Sequence, residues 1–172
     1  MKFVTYIFIL MGVFSVTTNA QTSVSVGELA PSFKLIKNDG STFDLKDYIN
    51  EKPVYLIFWN TWCAHCLKKI PKLISLQNKL ASKIAILAIN TSWSEDEKGI
   101  EDFIKNYKVN YSVAYDHNAL VTKKYKVLGT PTEFIIDING RIIFRDSVPE
   151  DISDFIPKWS TIISNSSTHN TE

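Results

Sequence analysis

The spacing of apolar and polar positions divides most of the chain into short elements. Residues 27–33 and Leu35 lead into Asn38-Asp39-Gly40, and Phe43 and Leu45 lead out again. Two short apolar runs about such a turn predict a hairpin. Val54–Trp59 follows Pro53 and is apolar at every position, the pattern of a strand covered on both faces. From Ala64 the period lengthens, and Leu67, Ile70, Leu73, Ile74 and Leu80 form one helical face. Pro71 lies inside that helix and is expected to kink it. Residues 84–89 read as a second buried strand.

Ser94 and Glu97 have the spacing of a capping box, which predicts a helix from that point through Ile100, Phe103, Ile104 and Tyr107. The charge run from Glu95 to Lys98 then reads as the solvated start of that helix. Residues 112–115 form a short strand and 120–125 a short helix, with His117, after Asp116, expected to cap it. Residues 134–136 and 142–144 flank Asn139-Gly140, a strong hairpin signal, and Ile152, Phe155, Ile156, Trp159 and Ile163 mark a last amphipathic helix. The order is a hairpin, βαβ, a helix and strand, a further helix, and ββα. It predicts an α/β fold with a mixed central sheet and helices on both faces.

The ends are of a different kind. Lys2, the apolar run 3–16 and the small-residue exit Thr-Thr-Asn-Ala before Gln21 have the form of a secretory signal peptide over residues 1–20. The run is shorter than the ~20 residues a membrane-spanning helix needs, although an uncleaved membrane anchor is the alternative. The expected domain is 21–163, followed by a polar tail over 164–172. Without Lys2, the 19 basic and 18 acidic side chains come into balance. A nucleic-acid partner, which needs a basic surface, is therefore not expected.

Composition adds one decisive point, the two cysteines. Cys63 and Cys66 close too short a loop to staple a domain, so in an exported protein chemistry is the simpler reason for them. They also sit where the apolar strand ends and the helix begins. Unpaired amides and the helix dipole at such a terminus stabilise an anion, and they lower a cysteine pKa from ~8.5 to roughly 3.5–7.5. Cys63 is expected to be the exposed nucleophile, and Cys66, one turn later, the buried resolving thiol. A zinc or copper site is the competing use of the pair. Zinc needs two further ligands, for which there are only three histidines. Copper lacks thioether partners, because Met1 and Met11 both lie in the leader. No metal and no cofactor beyond a redox-active Cys63–Cys66 disulfide is expected.

Three motifs carry a family resemblance: residues 58–63 with Cys66 and Pro71, Gly27-Glu28-Leu29-Ala30-Pro31-Ser32-Phe33, and residues 129–140 from Gly129-Thr130-Pro131 to Asn139-Gly140. Together they resemble the TlpA/ResA/CcmG group of exported thiol–disulfide oxidoreductases, over roughly residues 27–160. The resemblance implies a thioredoxin fold with an N-terminal hairpin extension and an inserted helix and strand. It implies a cis-proline at Pro131 packed on the cysteines, with Thr130 and Pro131 cradling an extended substrate and Trp62 forming a lip. It also implies a monomeric periplasmic reductase of protein disulfides, apocytochrome c among them, recharged by a membrane donor of the thiol-reducing type.

Several positions depart from the family. Thioredoxin has a buried aspartate where this chain has Ile57, and ResA-like proteins have a glutamate where it has Lys69. Both acids serve proton transfer at the buried cysteine, and Glu133 is the candidate replacement: strand alternation puts it on the face of Pro131. His65 between the cysteines resembles the oxidase DsbA and leaves a DsbA-like oxidase or isomerase as a second reading, although Ala64 replaces the proline found in both kinds of enzyme. A peroxiredoxin shares the Ala30-Pro31-x-Phe33 entry but has a threonine where this chain has Asn60. A haem- or copper-handling module is the non-enzymatic rival.

Overall fold

The computed structural model describes residues 24–146. The signal peptide, the final helix and the tail expected from the sequence lie outside these residues. Within them, β1 (Lys34–Ile36) and β2 (Thr42–Asp44) form the hairpin, with Leu35 opposite Phe43. Asp39 closes its turn by accepting the Ser41 amide and hydroxyl, and Gly40 takes the positive φ of 81° that the turn requires.

The main sheet is built from β3 (Val54–Trp59), β4 (Ala85–Asn90), β5 (Ser112–Tyr115), β6 (Thr132–Ile136) and β7 (Ile142–Asp146). Their order is β5-β4-β3-β6-β7. The first three are mutually parallel and the last two antiparallel, so the sheet is mixed as its alternation predicts. All six residues of the central β3 are buried, because both sheet faces are covered.

Alternation along β3 sorts the core into two layers. Tyr55, Ile57 and Trp59 face α1 (Ala64–Leu80) and α2 (Glu97–Asn106), packing with Ile70, Leu73, Ile100 and Phe103. Val54, Leu56 and Phe58 face the hairpin and α3 (Leu120–Lys124), packing with Phe33, Phe43, Val121 and Tyr125. The Tyr125 ring meets Phe33, Phe58 and Phe134, and its hydroxyl donates to the Pro31 carbonyl at 2.8 Å. Each fully buried side chain of this size contributes roughly 1.5–3 kcal/mol. α1 runs unbroken through Pro71.

Two local expectations are corrected. Ser94 does not cap α2: its φ is 57°, whereas a cap needs extended backbone. Asp96 (φ −116°, ψ 161°) meets that need and accepts the Gly99 amide at 2.8 Å. Nor does His117 cap α3. The buried Asp116 carboxylate accepts the amides of Val121 and Thr122 at 3.0 and 2.7 Å, while His117 pairs with Glu97 at the surface.

Candidate active site

Parallel β3 delivers the chain to its carboxyl end, where residues 60–63 turn into α1. Cys63 is the N-cap of that helix, with φ −81° and ψ 98°, and its Sγ accepts the Cys66 amide at 3.2 Å. Its own amide donates to the Asn60 carbonyl at 3.2 Å. A sulfur on an unpaired helix amide is where an anion is favoured. Cys63 and Cys66 form a disulfide with Cα atoms 5.2 Å apart. The exposure expected for Cys63 is not observed, since both cysteines are 5 % exposed. The bond ties the Cys63 sulfur back over the first helical turn, beside the Cys66 amide.

Around the disulfide, Trp62 is 57 % exposed, and its Nε1 donates to the Trp93 carbonyl at 3.1 Å. An exposed ring held by one hydrogen bond is not a core aromatic. The Thr130–Pro131 peptide is cis. The β3–β6 ladder starts with Phe58 opposite Thr132, so the Thr130 backbone lies outside it. His65 is exposed in the first turn of α1 and forms no ion pair among the described residues.

Glu133 stands directly across from Ile57 in the β3–β6 register, on the face that packs against α1. Its side chain is wholly removed from solvent. Both carboxylate oxygens accept from Lys69 Nζ at 2.8 Å, and Tyr55 donates its hydroxyl to Oε1 at 3.1 Å. Glu133 is therefore not a lone carboxyl but the buried half of an ion pair whose other half, Lys69, reaches the surface. Burial, reinforced by the adjacent carboxylate, pushes the Tyr55 phenol far above its ordinary pKa. Lys69 follows Cys66 by one turn, and the two line a small cavity of about 10 Å³ with Ile57, Trp59, Ile70, Leu73, Ala88 and Tyr111. Lys69 thus borders the cavity it shares with Cys66 and also holds the buried carboxylate.

A second polar cluster, not expected from the sequence, lies ahead of Cys63. Glu95, which the charge run places at a solvated helix start, instead accepts from the Thr61 amide at 2.6 Å, the Thr61 hydroxyl, Asn60 Nδ2 at 2.9 Å and Asn90 Nδ2. Asn60 Oδ1 in turn accepts the hydroxyls of Thr91 at 2.9 Å and Thr130 at 3.2 Å. A signal was present: asparagines at the ends of two adjacent buried strands need an acceptor between them. Among the described residues no group of three His, Cys, Asp or Glu side chains could hold a metal, and no helix is long and apolar enough to cross a membrane.

The chain is similar to known proteins in sequence and in fold. The AhpC/TSA family model matches residues 26–145. The thiol-disulfide oxidoreductase ResA of Bacillus thuringiensis is 30% identical over 142 residues, 80% of either chain. ResA of Bacillus subtilis is 34% identical over 122 residues, 70% of this chain and 66% of that one. Among solved structures, the thioredoxin domain of a thiol-disulfide oxidoreductase from Bacteroides vulgatus superposes with a TM-score of 0.70 at 23% identity, covering 80% of this chain and 99% of that one.

Proposed function

Since the chain belongs to the AhpC/TSA family and, within it, to the ResA-like thiol–disulfide oxidoreductases, we propose that it is an exported reductase of protein disulfides, apocytochrome c among its substrates. The supporting observation is Cys63 at the N-cap of α1 with its sulfur on the Cys66 amide. In the reduced protein that amide and the helix dipole stabilise a Cys63 thiolate. The thiolate attacks one substrate sulfur, forms a mixed disulfide and releases the other as a thiolate, which takes up a proton. Cys66, deprotonated, then attacks the Cys63 sulfur. The substrate leaves as a dithiol, and the two electrons it gained are those lost in forming Cys63–Cys66.

The other site residues fit this sequence of steps. Trp62 shields the mixed disulfide, and Thr130 with Pro131 aligns the substrate backbone. Lys69, which lines the cavity with Cys66, passes a proton to Glu133 and takes up the one that Cys66 loses. A membrane donor of the thiol-reducing type returns the dithiol state in the periplasm. Measuring the potential of the couple against glutathione, together with loss of disulfide reduction in Cys63→Ser, tests the reading. Couples in this fold run from about −270 mV to about −120 mV, roughly 7 kcal/mol. A value near the upper end replaces the reductase by an oxidase. One observation favours that second reading: the first turn of α1 has no acidic residue, and His65 and Lys68 follow Cys63 closely.

A further inference from the structure

Three segments meet beside the disulfide: residues 60–62 ahead of Cys63, the loop 90–95 after β4, and Thr130. None is adjacent to another in sequence, and two side chains join them. Asn60 is wholly buried. Its carbonyl holds the Cys63 amide, its Oδ1 holds the Thr130 hydroxyl, and its Nδ2 is fixed on Glu95. Glu95 also holds both donors of Thr61 and the Asn90 amide group. An ionised carboxylate has about four acceptor sites, and four donors occupy them here. The loop that presents Glu95 is fixed by its main chain as well: Tyr115 donates to the Glu95 carbonyl at 2.9 Å, and Trp62 Nε1 to the Trp93 carbonyl.

We propose that Glu95 is a positioning residue that clamps the turn ahead of Cys63 to the Thr130–Pro131 loop and opposes, with its charge, the thiolate at Cys63. Two consequences follow from one group. Geometrically, Cys63 and the Thr130 backbone are presented to a disulfide substrate as a single rigid unit, because the same carboxylate orients Thr61 and the asparagine that holds both. Electrostatically, a negative charge held at the residue two before Cys63 disfavours a second negative charge nearby. It thereby disfavours the reduced form and makes the couple more reducing. Glutamine cannot reproduce the clamp, since its amide nitrogen would face donors. Aspartate keeps the charge but is one methylene too short to reach all four.

The inference requires thiol–disulfide exchange at Cys63, whichever its direction in the cell. The test compares full-length wild type with Glu95→Gln, Glu95→Asp and, as a control on the same segment, Glu97→Gln. The readouts are the pH profile of Cys63 alkylation by iodoacetamide, the equilibrium constant with glutathione, and steady-state reduction of insulin. Glu95→Gln is expected to move the alkylation profile to lower pH. It is also expected to shift the equilibrium about tenfold toward the dithiol, about 30 mV for two electrons. Glu95→Asp is expected to leave the profile in place and raise KM for insulin several-fold.

A folded Glu95→Gln with the wild-type profile and equilibrium overturns the proposal, as does an equal shift in Glu97→Gln. If Glu95→Gln does not fold, Glu95→Asp decides, and an unchanged KM overturns the clamp. Wild type that alkylates at Cys63 but exchanges no disulfide overturns the oxidoreductase reading, an outcome separate from all of these.

Discussion

At the scale of single residues, a carboxylate removed entirely from water needs a physical reason. Burying a charge costs several kcal/mol unless it is paired and hydrogen-bonded, and Glu133 is both. Glu133→Gln leaves the Lys69 ammonium without its carboxylate. Because Lys69 is 22 % exposed and can turn toward solvent, the expected loss is about 1–3 kcal/mol in denaturant unfolding. If the pair carries the Cys66 proton, the variant also flattens the pH dependence of substrate reduction. Unaltered pH dependence in a folded Glu133→Gln removes the pair from the mechanism. The double variant Lys69→Met/Glu133→Gln separates the two effects, since it removes both charges but keeps an acceptor for the Tyr55 hydroxyl, and so recovers stability without restoring the pH response. Strand alternation made Glu133 legible in the sequence. Lys69 was legible only as a missing acid, because a partner that reaches across from α1 to β6 is set by tertiary register and not by local period.

At the scale of elements, strands and the hairpin could be read because their signals are local: continuous apolar runs for buried strands, Asn-Asp-Gly and Asn-Gly for turns. Caps were harder. Ser94 and Asp96 both satisfy the composition of a cap, and only the backbone, left-handed at Ser94 and extended at Asp96, decides between them. Asp96→Ala is therefore expected to cost about 1 kcal/mol and Ser94→Ala only a few tenths, measured by urea unfolding. Equal losses would mean that Asp96 does not cap the helix in solution.

The β1–β2 turn offers a test in pH. Hydrogen bonds from Ser41 hold the Asp39 carboxyl down at about 2, from an ordinary value of 3.8. A depressed carboxyl contributes stability that is present above the unfolded value and lost as pH falls through the folded one. Amide exchange at Ser41 should quicken as pH falls from about 4 to about 2, once corrected for intrinsic rates, and Asp39→Asn should remove that dependence. Asp44, lowered chiefly by its hydrogen bond to Lys34, acts in the same direction.

At the scale of the molecule, folding and redox chemistry are one thermodynamic cycle. In the unfolded chain Cys63 and Cys66 keep only their spacing, so any difference between native and unfolded potentials comes from the fold. Two sets of groups compete. The helix terminus and the bases His65 and Lys68 favour the native thiolate, while burial of Cys63 to 5 % exposure and the Glu95 carboxylate oppose it. The sequence displayed the first set, all of them neighbours of Cys63, and His65 among them is why an oxidase stayed open. The second set is assembled from distant segments and emerges only in three dimensions.

If the second set prevails, the native potential lies below the unfolded one, oxidation is easier in the folded state, and the oxidised protein is the more stable form. Each 30 mV is worth about 1.4 kcal/mol, and for a chain of 172 residues 1 kcal/mol moves Tm by roughly 2–4 °C. A reductase should thus melt several degrees higher with the disulfide closed than with it reduced. The gap should match the difference between potentials measured in buffer and in urea. A reduced form that melts higher would place the couple on the oxidising side, since stabilisation of the reduced form is what makes such a couple a strong oxidant.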